Sequence, residues 1–240
     1  MRYAILSDIH SNFDALQAVL AELSDQGIED YLCLGDIVGY GPQPVECLHE
    51  IQKYATTIIA GNHDFAATEK IGISSFNVLA KEAILWTRSK LSQDDLAFLA
   101  GLPLEARLES CHVVHGTLHA PELFDYVQSS YDAYLSMERM EAPLCFVGHS
   151  HVPVTFFQRE TITYSLTPSF TIDPRQKAIV NVGSVGQPRD KDPRASYAIY
   201  DTGRREVSIR RTPYDIDAVA GKIRKAGLPA LLGERLRTGR

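Results

Sequence analysis

The sequence predicts an α/β domain in which two β-sheets pack together. In the first half of the 240 residues, short apolar segments typical of strands alternate with amphipathic segments typical of helices. This alternation predicts a parallel sheet with helices on its faces. From residue 104 onward most segments indicate strands instead, and these supply a second sheet. No repeat, low-complexity tract or clear linker divides the chain, which is long enough to bury a substantial core.

The first half is predicted to run strand, helix, strand, helix, strand. The strands are "YAILS", "DYLCLG" and "TTIIAG", and the helices are "NFDALQAVLAELSDQG", which Gly27 closes, and "PVECLHEIQKY". Residues 75–101 predict two more helices, because apolar side chains recur there with helical spacing, at Phe76, Leu79, Ala80, Ala83 and Ile84.

The second half is predicted to be rich in strands. They are "CHVV", "LCFVGHS", "VPVTFFQ", "KAIVNVGS", "ASYAIYD" and "EVSIRRT", and the last two form a hairpin across "TGR". The stretch "TPSFTIDPRQ" is predicted to be a loop. Two amphipathic helices are expected at about residues 214–237, with a break at Gly227-Leu228-Pro229.

Composition and charge exclude several classes of protein. A formal net charge of −6 argues against a general nucleic-acid-binding surface, which would be basic. No apolar run approaches the roughly 18 residues of a transmembrane helix, and the run near the N-terminus is too short for a signal peptide. The four cysteines form no CxxC pair, which predicts reduced, buried thiols at Cys33, Cys47, Cys111 and Cys145. We therefore expect a cytoplasmic protein with no membrane contact.

Five predicted strands are followed directly by polar side chains that can bind a metal. In open α/β sheets the carboxyl ends of the strands converge on one crevice, so side chains between positions 8 and 151 can meet there. These residues are Asp8, His10, Asp36, Asn62, His63, Asp64, His115, His149 and His151.

Seven of these side chains form a ligand set without a thiolate: Asp8, His10, Asp36, Asn62, His115, His149 and His151. Mixed carboxylate, amide and imidazole ligands suit Zn, Fe, Mn or similar divalent ions. Such a set is too large for one ion, and Asp36 is the natural candidate for a carboxylate that bridges two. Two ions roughly 3.5–4 Å apart clamp a phosphoryl group and generate hydroxide near neutral pH.

The order of these motifs resembles that of the calcineurin-like metallophosphoesterase superfamily, whose blocks are D-x-H, G-D, G-N-H-D/E, a lone H and G-H-x-H. All of these blocks occur between residues 4 and 155. The resemblance implies a four-layer α-β-β-α sandwich, with two mixed β-sheets packed face to face and helices outside, in a single domain over residues 1–240. "CLGDIVGYGP" and "GNHD" are most similar to small bacterial and archaeal predicted phosphodiesterases grouped with diadenosine tetraphosphatase-like proteins. One departure is Gly39, which stands where many family members have a second aspartate (G-D-x-x-D).

The resemblance also implies a role for each residue. Two groups of ligands would share Asp36: one ion would be held by Asp8, His10 and His151, and the other by Asn62, His115 and His149. A metal-bridging hydroxide would attack phosphorus in line. His63 would protonate the leaving alkoxide, and Asp64 would orient or tune His63. The cofactors implied are two divalent ions, from among Mn, Zn, Fe, Ni and Mg.

Substrate contacts are predicted at Asn62, Arg189, Arg194, His119 and Tyr40. The segment "GSVGQPRDKDPRASY" makes a tight loop after a strand, and Arg189 or Arg194 could bind a phosphate bidentately. The alternative for the arginines is solvation at the surface, and the alternative for His119 is an ordinary loop position. Tyr40, in "GYGP", would border the cleft.

The leading functional hypothesis is a metal-dependent phosphoric ester hydrolase that acts on a phosphodiester or nucleotide-type substrate, a small phosphorylated molecule. A phosphomonoesterase or phosphoprotein phosphatase is the alternative within that class. A non-catalytic metal-binding scaffold, or a nucleotide sensor with slow turnover, would use the same pocket. The C-terminal helices either pack on the core or form a homo-oligomer, and the sequence leaves both open.

Overall fold

The computed structural model describes all 240 residues. The strands are β1 (Arg2–Leu6), β2 (Asp30–Cys33), β3 (Ala55–Ile58), β4 (Glu105–Arg107), β5 (His112–Val114), β6 (Leu144–Val147), β7 (Val154–Gln158), β8 (Ile162–Ser165), β9 (Ser169–Thr171), β10 (Ala178–Asn181), β11 (Ala195–Asp201) and β12 (Glu206–Thr212). The helices are α1 (Phe13–Leu23), α2 (Pro44–Tyr54), α3 (Asn62–Ala67), α4 (Val78–Arg88), α5 (Gln93–Gly101), α6 (Ser130–Met137), α7 (Ile216–Lys225) and α8 (Ala230–Thr238). A 3-10 turn spans Pro121–Leu123.

The strands form two mixed sheets of six. The first has the order β3-β2-β1-β11-β12-β9, in which β1, β2 and β3 are parallel, as the alternation of strands and helices predicts. The predicted β11–β12 hairpin is confirmed, and β11 pairs antiparallel with β1. The second sheet has the order β4-β5-β6-β10-β7-β8, with β5, β6 and β10 parallel.

Three apolar cores hold these sheets and helices in four layers. Between the sheets lie side chains such as Ile5 and Phe146, both fully buried. The outer face of the first sheet is covered by α1 and α2, through Leu16 and Leu48, and that of the second sheet by α6, through Met137. Burial of one such side chain contributes roughly 1.5–3 kcal/mol. The predicted four-layer α-β-β-α sandwich is confirmed.

The C-terminal helices α7 and α8 pack on the rest of the chain through a fourth core. This core joins Tyr40, from the loop after β2, to side chains of α4, α7 and α8, among them Ala83, Val219, Leu232 and Leu236. The apolar faces of these two helices are therefore used inside the chain.

The predicted loop "TPSFTIDPRQ" contains the short strand β9, which is a correction. β9 pairs with β12, and the ring of its Phe170 lies edge-on to Phe157, with the centroids 5.1 Å apart. Its stability comes from these distant partners rather than from local propensity. The elements α3, α6 and β8 were not predicted from the sequence. For α6 a signal was available, because Ser129 and Asp132 form a capping box at its start.

All four cysteines are buried and unpaired, as predicted. Burial raises the pKa of the Cys111 thiol to about 12, so this side chain stays protonated. None of the helices combines the length and apolar character that a membrane-spanning segment requires.

Candidate metal centre

The loops that follow β1, β2, β3, β5 and β6 meet at one end of the two packed sheets. Backbone hydrogen bonds join them: the N–H of His10 donates to the carbonyl of Asp36 at 2.9 Å, and that of Asp8 to the carbonyl of Gly35 at 3.1 Å. The loop after β10 joins the same set, because the N–H of Gly186 donates to the carbonyl of Asp8 at 2.9 Å. The convergence expected of these strand ends is therefore observed.

The first group of candidate ligands is buried and consists of Asp8, His10, Asp36 and His151, whose ligand atoms all lie within 4.8 Å of one another. Nε2 of His10 is 3.1 Å from Nε2 of His151. Nε2 of His151 is 3.2 Å from Oδ1 of Asp8. Imidazole nitrogens and carboxylate oxygens this close together fit a single divalent cation.

The second group is also buried and consists of Asp36, His115 and His149, again with ligand atoms within 4.8 Å of one another. Nε2 of His115 lies 3.4 Å from Oδ2 of Asp36 and 3.1 Å from Nδ1 of His149. Asp36 belongs to both groups, which is the position expected of a bridging carboxylate. Two adjacent buried Asp/His groups of this kind fit a binuclear metal site.

Three of the four histidines have Nδ1 against a backbone carbonyl. The pairs are His10 with Val38 at 3.1 Å, His115 with Leu34 at 2.7 Å and His151 with Gln187 at 2.5 Å. Such a contact makes Nδ1 the donor, which leaves Nε2 free for a metal and fixes the ring. His149 is different: its Nδ1 faces the second group, and its ring stacks on Tyr126.

Five of the six aspartate and histidine ligands have a left-handed backbone, with φ between 48° and 66°: Asp8, His10, Asp36, His149 and His151. Residues other than glycine rarely adopt this conformation, and each instance costs of order 1 kcal/mol or more. Such strain persists only where the surrounding structure fixes it, and it is typical of functional sites.

Gly148 lets the loop after β6 approach Asp8. A Cβ atom at this position would collide with the hydroxyl of Ser7 and with Oδ2 of Asp8. That same Oδ2 accepts hydrogen bonds from the Ser7 hydroxyl at 2.7 Å and from the N–H of His149 at 3.0 Å. This steric limit explains why the G-H-x-H block has a glycine at its first position.

Two buried oxygen atoms at the site accept no hydrogen bond: Oδ1 of Asp8 and Oδ1 of Asn62. A buried acceptor without a donor costs about 1–3 kcal/mol. A cation bound between the two groups would remove that cost for Asp8. Asn62 borders the same cleft as Asp36 and His149, so its amide oxygen can also serve a cation or a substrate.

The protonation states of Asp36 and His149 suit metal binding, and that of His115 does not. Burial opposes ionisation of Asp36, but His115 and His63 hold the pKa of its carboxyl well below the usual range. Burial lowers the pKa of His149 to about 3, and the neighbouring His115 adds to that shift. For His115 burial acts in the same direction, yet Asp36 and Asp8 outweigh it and raise its pKa to about 9. Metal ligands must be ionised carboxylates and neutral imidazoles, so Asp36 and His149 are already in the required state, whereas His115 must release a proton when a metal binds.

His63 lies beside the first group, at the start of α3. Its ring centroid is 4.8 Å from that of His10, and its N–H donates to Oδ1 of Asp36 at 2.8 Å. Its Nδ1 is buried without a partner against Gly39, where a Cβ atom would stand 2.5 Å away. Nε2 is therefore the ring nitrogen open to the cleft. Burial lowers the pKa of His63 to about 4, with a smaller contribution in the same direction from Arg189.

The contact with Gly39 gives a physical reason for the departure from G-D-x-x-D. Gly39 has a left-handed backbone with φ of 93°, and any side chain there would displace His63. In this chain the position next to Nδ1 of the imidazole is occupied by the backbone of Gly39.

The carboxylate of Asp64 makes no hydrogen bond to the His63 ring. Its Oδ1 accepts from the N–H groups of Ile37 and Val38 at 3.0 and 3.2 Å, and its Oδ2 accepts from that of Gly61 at 3.0 Å. Asp64 therefore holds the loops after β2 and β3 together, instead of orienting or tuning the imidazole as predicted. It acts on the site through the backbone.

A cleft of about 400 Å³ opens over both groups of ligands. Tyr40 and Arg189, two of the predicted substrate contacts, line it together with Asn62 and His63. The ring of Tyr40 packs on His63, with the centroids 4.5 Å apart, and the Arg189 guanidinium lies 5.8 Å from the Tyr40 ring centre. Nε of Arg189 is buried and has no hydrogen-bond partner, so this arginine has unused donor capacity beside the cleft.

Two other predicted substrate contacts lie outside the cleft, which corrects the prediction. Arg194 is 52% exposed and pairs with Asp192 at 2.6 Å, within its own turn. His119 is exposed and does not line the cleft. For both, the surface alternative applies.

The apolar residues that line the cleft without having been predicted as site residues include Phe76, Leu123 and Tyr126. Phe76 shows helical spacing with neighbours of α4, so the sequence indicated packing for it. Leu123 and Tyr126 belong to a segment without a recognisable motif, and only the exposure of apolar side chains reveals them.

Comparison with known proteins gives a consistent family. The sequence model of the "Calcineurin-like phosphoesterase superfamily domain" matches residues 1–205. An uncharacterized protein of Methanocaldococcus jannaschii, MJ0912, is 39% identical over 241 aligned positions, which cover 99% of this chain and 98% of that protein.

Solved structures agree with the fold. A metallophosphoesterase from Sphaerobacter thermophilus is 37% identical and superimposes with a TM-score of 0.88 over 100% of this chain and 99% of that one. The hypothetical protein PH1004 from Pyrococcus horikoshii is 23% identical, with a TM-score of 0.80 over 100% and 98% of the two chains. A putative diadenosine tetraphosphatase is more distant, at 16% identity and a TM-score of 0.56 over 88% and 94%, so its likeness concerns the fold alone.

Proposed function

This chain belongs to the calcineurin-like phosphoesterase superfamily, and from that premise we propose that it is a metal-dependent phosphodiesterase for small molecules of nucleotide type. The observation that carries the proposal is the pair of buried Asp/His groups that share Asp36 and border one open cleft. Paired divalent ions serve phosphoryl transfer by clamping one phosphate between them.

The ligands proposed for the two ions are Asp8, His10 and His151 for one, Asn62, His115 and His149 for the other, and Asp36 for both. When bound, such ions polarise the phosphoryl oxygens and lower the pKa of water enough for attack on phosphorus near neutral pH. The lack of thiolates supports Mn, Fe, Zn, Ni or Mg over softer ions.

His63 is proposed to donate a proton from Nε2 to the leaving oxygen. An alkoxide is a poor leaving group, and a positioned acid typically contributes about 10²–10⁴ in rate. The pKa of about 4 belongs to the protein without substrate. A phosphate anion within hydrogen-bond reach favours the imidazolium form and would raise that pKa. The rings of Tyr40 and Phe76 pack on the imidazole and limit its rotation.

Arg189 is proposed to bind a non-bridging oxygen of the substrate phosphate. Its Nη2 donates to the side-chain oxygen of Gln187 at 3.0 Å, which orients the guanidinium and leaves Nε for a ligand. The N–H of Arg189 also donates to the carbonyl of His151 at 3.2 Å, so the arginine is fixed relative to the first group of ligands. A charge-assisted hydrogen bond to phosphate is stronger than a neutral one.

The lining of the cleft supports a diester over a monoester. Arg189 is the only lysine or arginine among the residues that line the cleft. Glu122 also lines the cleft and adds a negative charge. Apolar rings lie on both sides of the ligands, with Phe76 against His63 and Tyr126 against His149. A monoanionic phosphate with an organic group on each side matches this arrangement better than a dianion does.

The test is an assay of purified protein, loaded with Mn²⁺, against bis-p-nitrophenyl phosphate and p-nitrophenyl phosphate. We expect faster turnover of the diester and about two bound ions per chain by elemental analysis. A monoester rate far above the diester rate would assign the chain to the phosphomonoesterases. Metal uptake with tight product binding but no hydrolysis would indicate a sensor, and absence of metal uptake would overturn the proposal.

A further inference from the structure

Two apolar side chains stand exposed on the wall of the polar cleft. Leu123 is 64% exposed and Tyr126 is 44% exposed, both line the cleft, and Tyr126 lies against His149 of the second group. Exposure of apolar surface to water is unfavourable, at roughly 25 cal/mol per Å². When such side chains border a concave site, they mark the place where an apolar part of a ligand binds.

The ring of Tyr126 is held flat against the centre. It stacks on the imidazole of His149 with a centroid distance of 4.0 Å and an angle of 11° between the planes. One ring face is covered by a candidate metal ligand, and much of the remaining surface is open. Because His149 is fixed among buried ligands, the plane of Tyr126 has a defined position relative to the phosphate site.

The segment that carries both side chains is anchored from below. Phe124 is buried with a left-handed backbone (φ of 54°), and its ring lies 6.0 Å from that of His115 and 5.9 Å from that of Phe65. Gly116 allows the carbonyl of Asp125 to approach, since a Cβ there would stand 2.5 Å from that oxygen. Binding to a surface already held in place costs little ordering of the protein.

We propose that Tyr126 and Leu123 form a stacking platform for a planar aromatic group, such as a nucleobase, carried by one ester substituent of the substrate. The inference rests on the proposed function and names the chemistry of one side of the diester. The platform offers a π-face and a methyl-bearing edge, so we expect it to tolerate different bases. Stacking of a base on an aromatic side chain changes affinity by roughly 5- to 150-fold.

A binding experiment tests the platform without requiring turnover. Mn²⁺-loaded protein is titrated calorimetrically with AMP and with ribose 5-phosphate, which has the same sugar and phosphate but no base. We expect AMP to bind at least about fivefold more tightly. Equal affinities would overturn the proposal.

Variants locate the effect. Tyr126→Ala should remove most of the preference for AMP, Tyr126→Phe should keep it, and Leu123→Ser should reduce it without touching His149. Tyr131→Ala is the matched control, because Tyr131 is 69% exposed on α6 and does not line the cleft. Manganese content is measured in each variant. If Tyr126→Ala loses metal, the preference of Leu123→Ser for AMP over ribose 5-phosphate is used instead to test the platform. A preference for AMP that survives both Tyr126→Ala and Leu123→Ser with metal retained would place the aromatic group elsewhere and overturn the proposal.

A second pair of compounds separates this inference from the proposed function. Methyl p-nitrophenyl phosphate and the p-nitrophenyl ester of thymidine 5′-phosphate share a leaving group and differ in the second substituent, which is a methyl group in the first and a nucleoside, with its sugar and base, in the second. We expect kcat/KM to be about tenfold or more higher for the thymidine ester, and Tyr126→Ala to lower it toward that of the methyl ester. Hydrolysis of neither ester, with the AMP preference intact, would contradict the function and support the platform. Hydrolysis of both at equal rates would contradict the platform and support the function.

Discussion

A hydrogen bond of 2.8 Å joins the backbone N–H of His63 to Oδ1 of Asp36. The carboxylate that belongs to both groups of candidate ligands therefore also fixes the first turn of the helix that carries His63. This contact couples the metal centre to the proposed proton donor through a single side chain. It makes Asp36 the residue whose loss should affect the most functions at once.

Asp36→Asn should deplete both metals and lower turnover of bis-p-nitrophenyl phosphate at least about 10²-fold, since a neutral amide is a poor bridging ligand. The fold should survive, because the amide oxygen can still accept the N–H of His63. Elemental analysis checks the expected loss of metal, and circular dichroism checks the expected retention of the fold. Asp217→Asn is the control, since Asp217 is 82% exposed and pairs only with Arg237 at the surface. A variant that keeps both ions would contradict the bridging role.

His63→Ala should keep its metals and slow turnover by about 10²–10⁴. The loss should be steepest for esters with alkyl leaving groups and smallest for p-nitrophenyl esters, because a stable leaving group needs no proton. His119→Ala serves as the control, since His119 lies outside the cleft. Loss of metal from the His63 variant, or an equal loss of rate for all leaving groups, would show that the imidazole has a different role.

Gly39→Ala should impair the proposed proton donation by His63, because Gly39 contacts the Nδ1 side of its imidazole. The added Cβ would stand 2.5 Å from Nδ1 of His63, in a residue whose φ is 93°. We expect about 1 kcal/mol or more of lost stability, with turnover reduced in the leaving-group pattern of His63→Ala and metal content unchanged. In contrast, Gly221→Ala in α7 meets no atom within 4 Å and should raise helix stability by roughly 0.5–1 kcal/mol. Wild-type kinetics in the Gly39 variant would show that the ring has room to move.

The stability of the metal-free protein should be greatest near pH 6.5. Burial lowers the pKa of His63 to about 4 and that of His149 to about 3, so between about pH 6.5 and 4 the unfolded chain binds protons that the folded chain does not. The free energy of unfolding therefore decreases as the pH is lowered from about 6.5 to 4. Asp64 opposes the trend, because burial and Asp36 raise its pKa to about 7. It is one group against four, since burial also lowers the pKa of His10 and that of His151. Burial works against a proton on His115, but Asp36 and Asp8 raise its pKa to about 9, so stability also falls as the pH rises toward 9.

Urea unfolding in the presence of a chelator at pH 5, 6.5 and 8.5 measures this profile. Each net proton that separates the two states changes the free energy of unfolding by about 1.4 kcal/mol per pH unit. Mn²⁺-loaded protein is the comparison, and it should be more stable at neutral pH and lose the advantage as its ligands are protonated. Stability that stays constant from pH 5 to 8.5 without metal would contradict the assigned burial of these groups.

The convergence of the candidate ligands could be predicted from the sequence because it depends on one topological rule. Asp8, Asp36 and His115 each follow a strand of a parallel set, and the carboxyl ends of such strands must meet. Contacts that depend on side-chain direction could not be predicted in this way. The sequence places Asp64 next to His63, yet the α3 turn directs its carboxylate to the backbone of the β2 loop. Tyr126 lies in an irregular segment whose course is set by the burial of Phe124.

The region of this chain that matches the family ends at residue 205, before β12, α7 and α8. A chain truncated after residue 205 would lack β12, the hairpin partner of β11. It would also expose to water the part of Tyr40 that packs on α7 and α8. Since the ring of Tyr40 also packs on His10 and His63, we expect this loss to disturb a candidate metal ligand and the proposed proton donor. We therefore expect the smallest stable unit of this protein to extend past residue 205, because its last two helices support, through Tyr40, a candidate site that includes residues from the first ten of the chain.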